Sequence, residues 1–324
     1  MGERDALLTA LQPHAAAMGG TGIADLERLS GGGASQELWS FTLTGPDTPL
    51  ILRRTPASRE DFGLGLKLEA ELMRRARAAG APTPAVAYVF VDPAVGEAFA
   101  MEKIGGTARP RTIHTDPAFA TARERAATDL GRALACIHAA DIAGLPLRRE
   151  TPAESVAHLA KRLAATAEAR PVFELTIRRL MNTAPPPEGS PNLIHGDFRM
   201  GNLMFDETGL TAALDWELAF AGDRHADLGW VGMESWRFGQ TLPMAGLTER
   251  APLYEAYEAA GGAPIDPERV RWWELWSALH WGVITIEMGG WIRSGADRSI
   301  ERHVIARRAS EAELVMMAMI TGRI

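Results

Sequence analysis

The chain has 324 residues, 46% hydrophobic and 23% charged, which fits a globular protein whose core fills one or two domains. Its net charge of −7 argues against nucleic acid or an anionic membrane as the main partner, because both need a basic surface. The single cysteine, Cys136, excludes an intramolecular disulfide and a thiolate zinc site. It reads as a buried small hydrophobe in an apolar helix and fits a reducing cytoplasm. The first residues, with Glu3, Arg4 and Asp5, lack a signal-peptide core, and no apolar run approaches the ~20 residues of a membrane span. The arginine clusters Arg74, Arg75, Arg77 and Arg307, Arg308 read as solvated helix faces.

In chain order, residues 5–18 predict an Ala-rich helix ending at Gly19-Gly20. Residues 23–29 and 38–43 predict two strands joined by Ser30-Gly31-Gly32-Gly33-Ala34-Ser35-Gln36. Glycines there let backbone N–H groups approach a phosphate, although the same string also makes a plain flexible turn. A dinucleotide fingerprint fits poorly, since a strand pattern follows the loop where a helix is required. Residues 49–54 predict a third strand, with Arg53 and Arg54 on opposite faces. Residues 66–79 lack Gly and Pro and predict a helix. Strands follow at 86–91 and 98–102, then a long helix over 119–140, in which His138 reads as a packed or capping residue. Pro185-Pro186-Pro187 marks a loop.

The densest chemistry lies in His195-Gly196-Asp197-Phe198-Arg199-Met200-Gly201-Asn202 and in Asp215-Trp216-Glu217. Two short apolar runs between them, 203–205 and 210–214, flank Asp206-Glu207-Thr208-Gly209 and predict a β-hairpin. A hairpin folds its ends together, so Asp197 and Asn202 come beside Asp215. Metal-assisted phosphoryl transfer needs that grouping: a carboxylate to align the attacking hydroxyl, and oxygen ligands to hold Mg²⁺ on the phosphates. Taken singly, Asp and Asn beside Gly are ordinary turn residues. Their joint spacing favours chemistry. Beyond Asp227 the chain is rich in Trp, and Trp272, Trp276 and His280 recur every four residues on one helix face; most of this reads as core, with one or two Trp available to line a pocket.

The string His195-Gly196-Asp197, with Asn202 five residues after the Asp, and then Asp215, resembles the catalytic and metal-binding segments of the aminoglycoside phosphotransferase family, within the protein-kinase-like superfamily. Asp215-Trp216-Glu217-Leu218-Ala219 through Asp227-Leu228-Gly229-Trp230 is most similar to the branch related to the kinase-like domains of acyl-CoA dehydrogenase-associated proteins. The likeness is sharp between His195 and Asp227 and weak elsewhere. It implies an α+β, bilobal fold: an N-lobe over residues 1–105 with an antiparallel sheet and a helix, and a larger, mostly helical C-lobe over 106–324.

By this resemblance Asp197 is the catalytic base, Arg199 neutralises charge on the transferring phosphoryl group, and Asn202 and Asp215 bind Mg²⁺. Glu217 is either a further ligand or a surface residue. Gly31, Gly32, Gly33 and Ser35 form the phosphate loop. Arg53 stands where kinases have a phosphate-binding Lys, a departure that keeps the charge, with Arg54 as its rival. Glu69, favoured over Glu71, is its helix partner. Met101 and Glu102 open a hinge whose backbone meets the base of ATP or GTP. His195 and Asp227 are scaffold residues.

The implied enzyme is a small-molecule kinase with a hydroxyl acceptor and no nucleic-acid or membrane partner. A pseudokinase and a metal-dependent hydrolase are the alternatives. The hydrolase does not need the N-lobe devices, and the pseudokinase is disfavoured by the presence of Asp197 and Asp215. The acceptor stays open among a hydroxyacyl-CoA, choline-like, sugar and aminoglycoside alcohols. Glu287, in an apolar stretch, is a candidate to face it. The oligomeric state is not encoded in any motif.

Overall fold

The computed structural model describes residues 2–29, 36–56, 64–295 and 299–324. Its elements in order are α1 (Glu3–Leu11), β1 (Gly22–Arg28), β2 (Glu37–Thr44), β3 (Thr48–Thr55), α2 (Leu66–Ala78), β4 (Val86–Asp92) and β5 (Gly96–Glu102). There follow α3 (Pro110–Thr115), α4 (Ala120–His138), α5 (Pro152–Ala165), α6 (Pro171–Asn182), β6 (Asn192–Ile194), β7 (Leu203–Asp206), β8 (Gly209–Ala213) and β9 (Phe220–Gly222). The chain closes with α7 (His225–Val231), α8 (Arg250–Ala259), α9 (Pro267–Ser294), α10 (Ile300–Ala306) and α11 (Ala309–Ile320).

The five N-terminal strands form one antiparallel sheet in the order β1-β2-β3-β5-β4. Side chains alternate across it. Trp39, Phe41, Leu50 and Leu52 point to the α1 face and pack with Leu7 and Leu11. Ile51, Phe99 and Met101 point to the α2 face and pack with Leu66, Ala70 and Met73. The same alternation sends Arg53 toward α2 and Arg54 toward α1. The predicted first helix is shorter than its composition implied. Pro13 lacks an N–H and crowds the preceding turn, so the chain leaves α-geometry after Leu11 and reaches Gly19 through two tight 3₁₀ turns.

The C-terminal lobe is built around α4, whose Leu130, Leu134 and Ile137 are fully buried. It packs against α8 closely enough that a Cβ at Gly131 would sit 2.7 Å from the Leu253 carbonyl oxygen. A second core joins α5, α6, α7, α9 and α11 around Trp230, Trp236, Trp273 and Trp276. Cys136 is half-buried, contrary to the sequence reading, because it lies on the side of α4 that faces Gly80 at the rim of the N-lobe. Of the two-stranded pairs, β7 with β8 is the hairpin expected from its turn residues, and β6 pairs with β9. Among the described residues no helix is long and apolar enough to cross a membrane.

The β7–β8 hairpin is tied to the N-lobe by a bond from the Ala213 N–H to the Pro82 carbonyl (2.8 Å), and to the segment that leaves the N-lobe by a backbone bridge. Thr107 and Phe205 exchange N–H···O bonds of 2.8 and 2.9 Å. This bridge depends on Gly106, which adopts φ 107° and lies so close to Phe205 that a Cβ would collide with its carbonyl oxygen. Gly106→Ala is expected to destabilise the protein by about 2–3 kcal/mol, through left-handed strain and the clash together. Thermal unfolding of the purified variant checks this; an unchanged midpoint refutes it.

Candidate active site

The loop after β6 hangs from a buried carboxylate. Asp227, on α7 and inaccessible to solvent, accepts the backbone N–H of His195 (2.8 Å) on Oδ2 and that of Gly196 (2.9 Å) on Oδ1. Nε2 of His138 also lies 3.1 Å from Oδ2, and its Nδ1 lies 2.9 Å from the Tyr257 hydroxyl. His138, placed at the end of α4, is thus a link in this support. Gly196 takes φ 79° and passes so close to Leu218 that no Cβ fits.

This support aims Asp197 back over the loop. Its Oδ1 accepts Nε of Arg199 (2.7 Å) and Nε1 of Trp230 (2.9 Å); its Oδ2 accepts Nδ2 of Asn202 (2.6 Å). Burial pushes its carboxyl above the usual range, the nearby Asp215 charge adds to this, and Arg199 opposes it. His195 packs between Phe198 and Trp216, with ring centroids 5.9 and 4.5 Å away. Its Nδ1 accepts the Asp197 N–H (3.2 Å), which leaves the proton on Nε2, a buried atom without a partner. Burial lowers its pKa, so the ring is neutral scaffold.

The hairpin brings the second acidic segment alongside. Leu214 N–H donates to the Asn202 carbonyl (2.8 Å), which sets Asp215 next to Asn202. Asp215 itself sits at φ 67°, a left-handed conformation uncommon for a non-glycine residue. Its Oδ1 accepts Nη2 of Arg53 (2.8 Å) from β3, which also lies 3.5 Å from Glu217 Oε2. Nε of Arg53 lies 3.4 Å from Glu69 Oε2 on α2 and donates to Gln36 Oε1. One guanidinium therefore joins β3, α2 and the segment after β8. Three acids around it outweigh its burial and hold it charged. Burial, with Asp215 and Glu217 nearby, pushes Glu69 up to about 7 against the pull of Arg53.

The rival residues go elsewhere. Arg54 pairs with Glu37 (2.7 Å) on the opposite face, and Glu71 pairs with Arg75 (2.9 Å). Met101 packs in the sheet, and the Glu102 side chain turns away to the Ala85 N–H (3.2 Å). Two hinge residues further on, the Ile104 N–H has no partner among the described residues. Glu287 does not stand free: it forms a two-point pair with Arg162 (2.9 and 2.6 Å). Gly31, Gly32, Gly33 and Ser35 lie outside the described residues; on either side of them the Leu29 N–H donates to the Leu38 carbonyl (2.9 Å). In a separate group of possible metal ligands, Glu188 is paired with Arg224, Asp223 with Arg269, and His225 Nδ1 with Asp223 Oδ1 (2.7 Å).

Two contacts escaped sequence reasoning. Trp230 holds Asp197, and the Trp236 ring lies under the Arg199 guanidinium at 4.5 Å. A signal existed for the first, because Trp230 follows Asp227 by three positions on α7 and shares its face. None existed for the second.

The model of the APH phosphotransferase enzyme family matches residues 25–273. Mouse acyl-CoA dehydrogenase family member 10 is 28% identical over 196 residues, 56% of this chain and 18% of the mouse protein, so the chain spans less than a fifth of that relative's length. The fold matches a candidate aminoglycoside phosphotransferase from Ralstonia eutropha JMP134, with TM-score 0.73, 20% identity and 97% and 96% of the two chains covered. Aminoglycoside phosphotransferase APH(4)-Ia, in a ternary complex with ADP and hygromycin B, gives TM-score 0.62 at 17% identity over 93% and 94%. A choline/ethanolamine kinase family protein from Mesorhizobium loti gives 0.61 at 21% over 92% and 88%. With a family model that matches three quarters of its length and a fold in agreement, the chain belongs to the APH phosphotransferase enzyme family.

Proposed function

We propose that the protein is a cytoplasmic small-molecule kinase that transfers the γ-phosphate of ATP or GTP to a hydroxyl group. The observation that carries this reading is the convergence of Asp197, Asn202, Asp215, Arg53 and Glu69 from four separate segments of the chain. Residues 1–105 hold the nucleotide and residues 106–324 carry the base, the metal ligands and the acceptor.

Asp197 accepts the hydrogen bond of the acceptor hydroxyl and aligns its oxygen with the γ-phosphorus. As the new O–P bond forms and the bond to the nucleoside diphosphate breaks, the hydroxyl proton passes to the carboxylate. Trp230 and Asn202 fix that carboxylate through hydrogen bonds of 2.9 and 2.6 Å. Arg199 neutralises charge growing on the phosphoryl oxygens, and Arg53 does so on the neighbouring phosphates. The loop at Gly31, Gly32, Gly33 and Ser35 offers backbone donors, and the Ile104 N–H, just past Met101 and Glu102, is free to meet a base edge.

The donor set fits Mg²⁺. Asn202 Oδ1 and Asp215 Oδ2 are hard oxygen atoms with no partner among the described residues, and Glu217 is half-exposed beside them. When bound there, Mg²⁺ neutralises phosphate charge and orients the nucleotide.

For the acceptor we favour a hydroxylated metabolite, with a hydroxyacyl-CoA first among candidates because of the acyl-CoA dehydrogenase relative. Sugar and choline-like alcohols come next. A polycationic aminoglycoside is disfavoured, since acids of the C-terminal helices are already engaged: Glu274 by Arg250 and Arg271, Glu287 by Arg162.

Saturating Mg-ATP, at about 100 times its dissociation constant, adds about 2.7 kcal/mol of stability. The corresponding upward shift of the thermal midpoint is expected to be lost in Asp215→Ala; a full shift in that variant removes Asp215 from the metal site. Asp197→Asn is expected to keep the nucleotide shift while acceptor-dependent ADP release falls about 10²–10⁴-fold. Trp230→Phe, which deletes one hydrogen bond to a charged group, is expected to lower kcat about tenfold with the nucleotide KM unchanged. Wild-type turnover in either variant, read by a coupled ADP assay, contradicts the role assigned to that residue.

A further inference from the structure

A cavity of about 380 Å³ lies between α8, α9, α11 and the segment that follows α7. Its lining shares no residue with the phosphoryl-transfer site, and its charged groups differ in how far they are satisfied. Glu274 is saturated: Oε1 accepts Nε and Nη2 of Arg250 (3.0 and 2.7 Å), and Oε2 accepts Nη1 of Arg271 (3.1 Å). Arg237 has no such partner. It donates Nη2 to the Gly232 carbonyl (2.9 Å), and its Nε is buried with nothing to receive it. Burial and the charge of Arg250 both work against its protonated form, and the nearby Glu274 and exposed Glu234 only partly oppose them. Arg271 also donates Nη2 to the Ile324 oxygen (2.7 Å), so among the described residues lining this space Arg237 is the guanidinium with no carboxylate hydrogen-bonded to it.

Met233, Val315 and Met319 supply apolar lining beside these charged groups. A guanidinium in the cavity lining with no carboxylate bonded to it among the described residues favours an incoming oxyanion, whose two oxygens match a guanidinium edge. The apolar lining favours a hydrocarbon body behind that head, and the volume lies in the range of small-molecule sites. We propose that this cavity binds a small oxyanion carried on an apolar chain, a carboxylate or a phosphate monoester, with Arg237 and Arg250 on the head and Met233, Val315 and Met319 along the chain. The site does not depend on the phosphotransfer reading. The segment that follows α7 also carries Trp236, the residue stacked on Arg199.

Isothermal titration of the full chain with hexanoate, hexyl phosphate, inorganic phosphate and 1-hexanol tests this. Hexanoate or hexyl phosphate is expected to bind at one site, the stronger of the two identifying the head group, with 1-hexanol and inorganic phosphate at least tenfold weaker. Arg237→Gln and, independently, Met319→Glu are each expected to weaken that binding at least tenfold while the fold, read by circular dichroism, stays intact. Absence of binding by both amphiphiles overturns the proposal, as does 1-hexanol or inorganic phosphate binding as well as they do. Affinity unchanged in both variants overturns it too.

Discussion

The arrangement depends first on a charge kept where no solvent reaches it. Asp227 has no exposed surface, and an unpaired carboxylate in such a place costs several kcal/mol. It is stable there because backbone N–H groups of His195 and Gly196 and the His138 ring converge on it. The same contacts run the other way: they fix two consecutive peptide groups just before Asp197, so its carboxylate is placed by a hydrogen-bonded backbone and not by a free loop. Asp227 and Trp230 share α7, so one short helix grips the loop at its root and at its working carboxylate.

Arg53 does for the lobes what Asp227 does for the loop. Its guanidinium reaches Glu69, Asp215 and Glu217, one acid from the N-lobe helix and two from the segment after the β7–β8 hairpin. A Lys has one point of charge and three rotating donors; the planar fork of Arg serves several carboxylates at fixed angles. Crowding three acids around one cation has a cost, seen in Glu69, which burial and its acidic neighbours push up to about 7. Contact with Asp215 and Glu217 also places Arg53 among the groups assigned to metal and phosphate.

Local chemistry was legible in the sequence where short-range rules govern it. Strand alternation separated Arg53 from Arg54, turn residues placed the β7–β8 hairpin, and that hairpin brought Asn202 to Asp215. The helix at 5–18 was misjudged because its alanines outweighed one Pro, whose effect is decided by a single missing N–H. Cys136 was misjudged because residue type does not tell which side of a helix meets a rim.

The sequence by itself determined the strand–helix order of the N-lobe from β1 to β5, the long helix α4, the β7–β8 hairpin, the spacing of His195, Asp197, Asn202 and Asp215, and the kinship these imply. Periodicity and turn preference act over a few residues, so they can be read along the chain. Only the tertiary structure decided that Trp230 holds Asp197, that Trp236 lies under Arg199, that Glu287 belongs to Arg162, and that Arg237 faces a cavity without a carboxylate of its own. Each of those contacts joins segments separated by many residues or set by how helices dock, and no local pattern fixes which side chains meet when two distant surfaces pack.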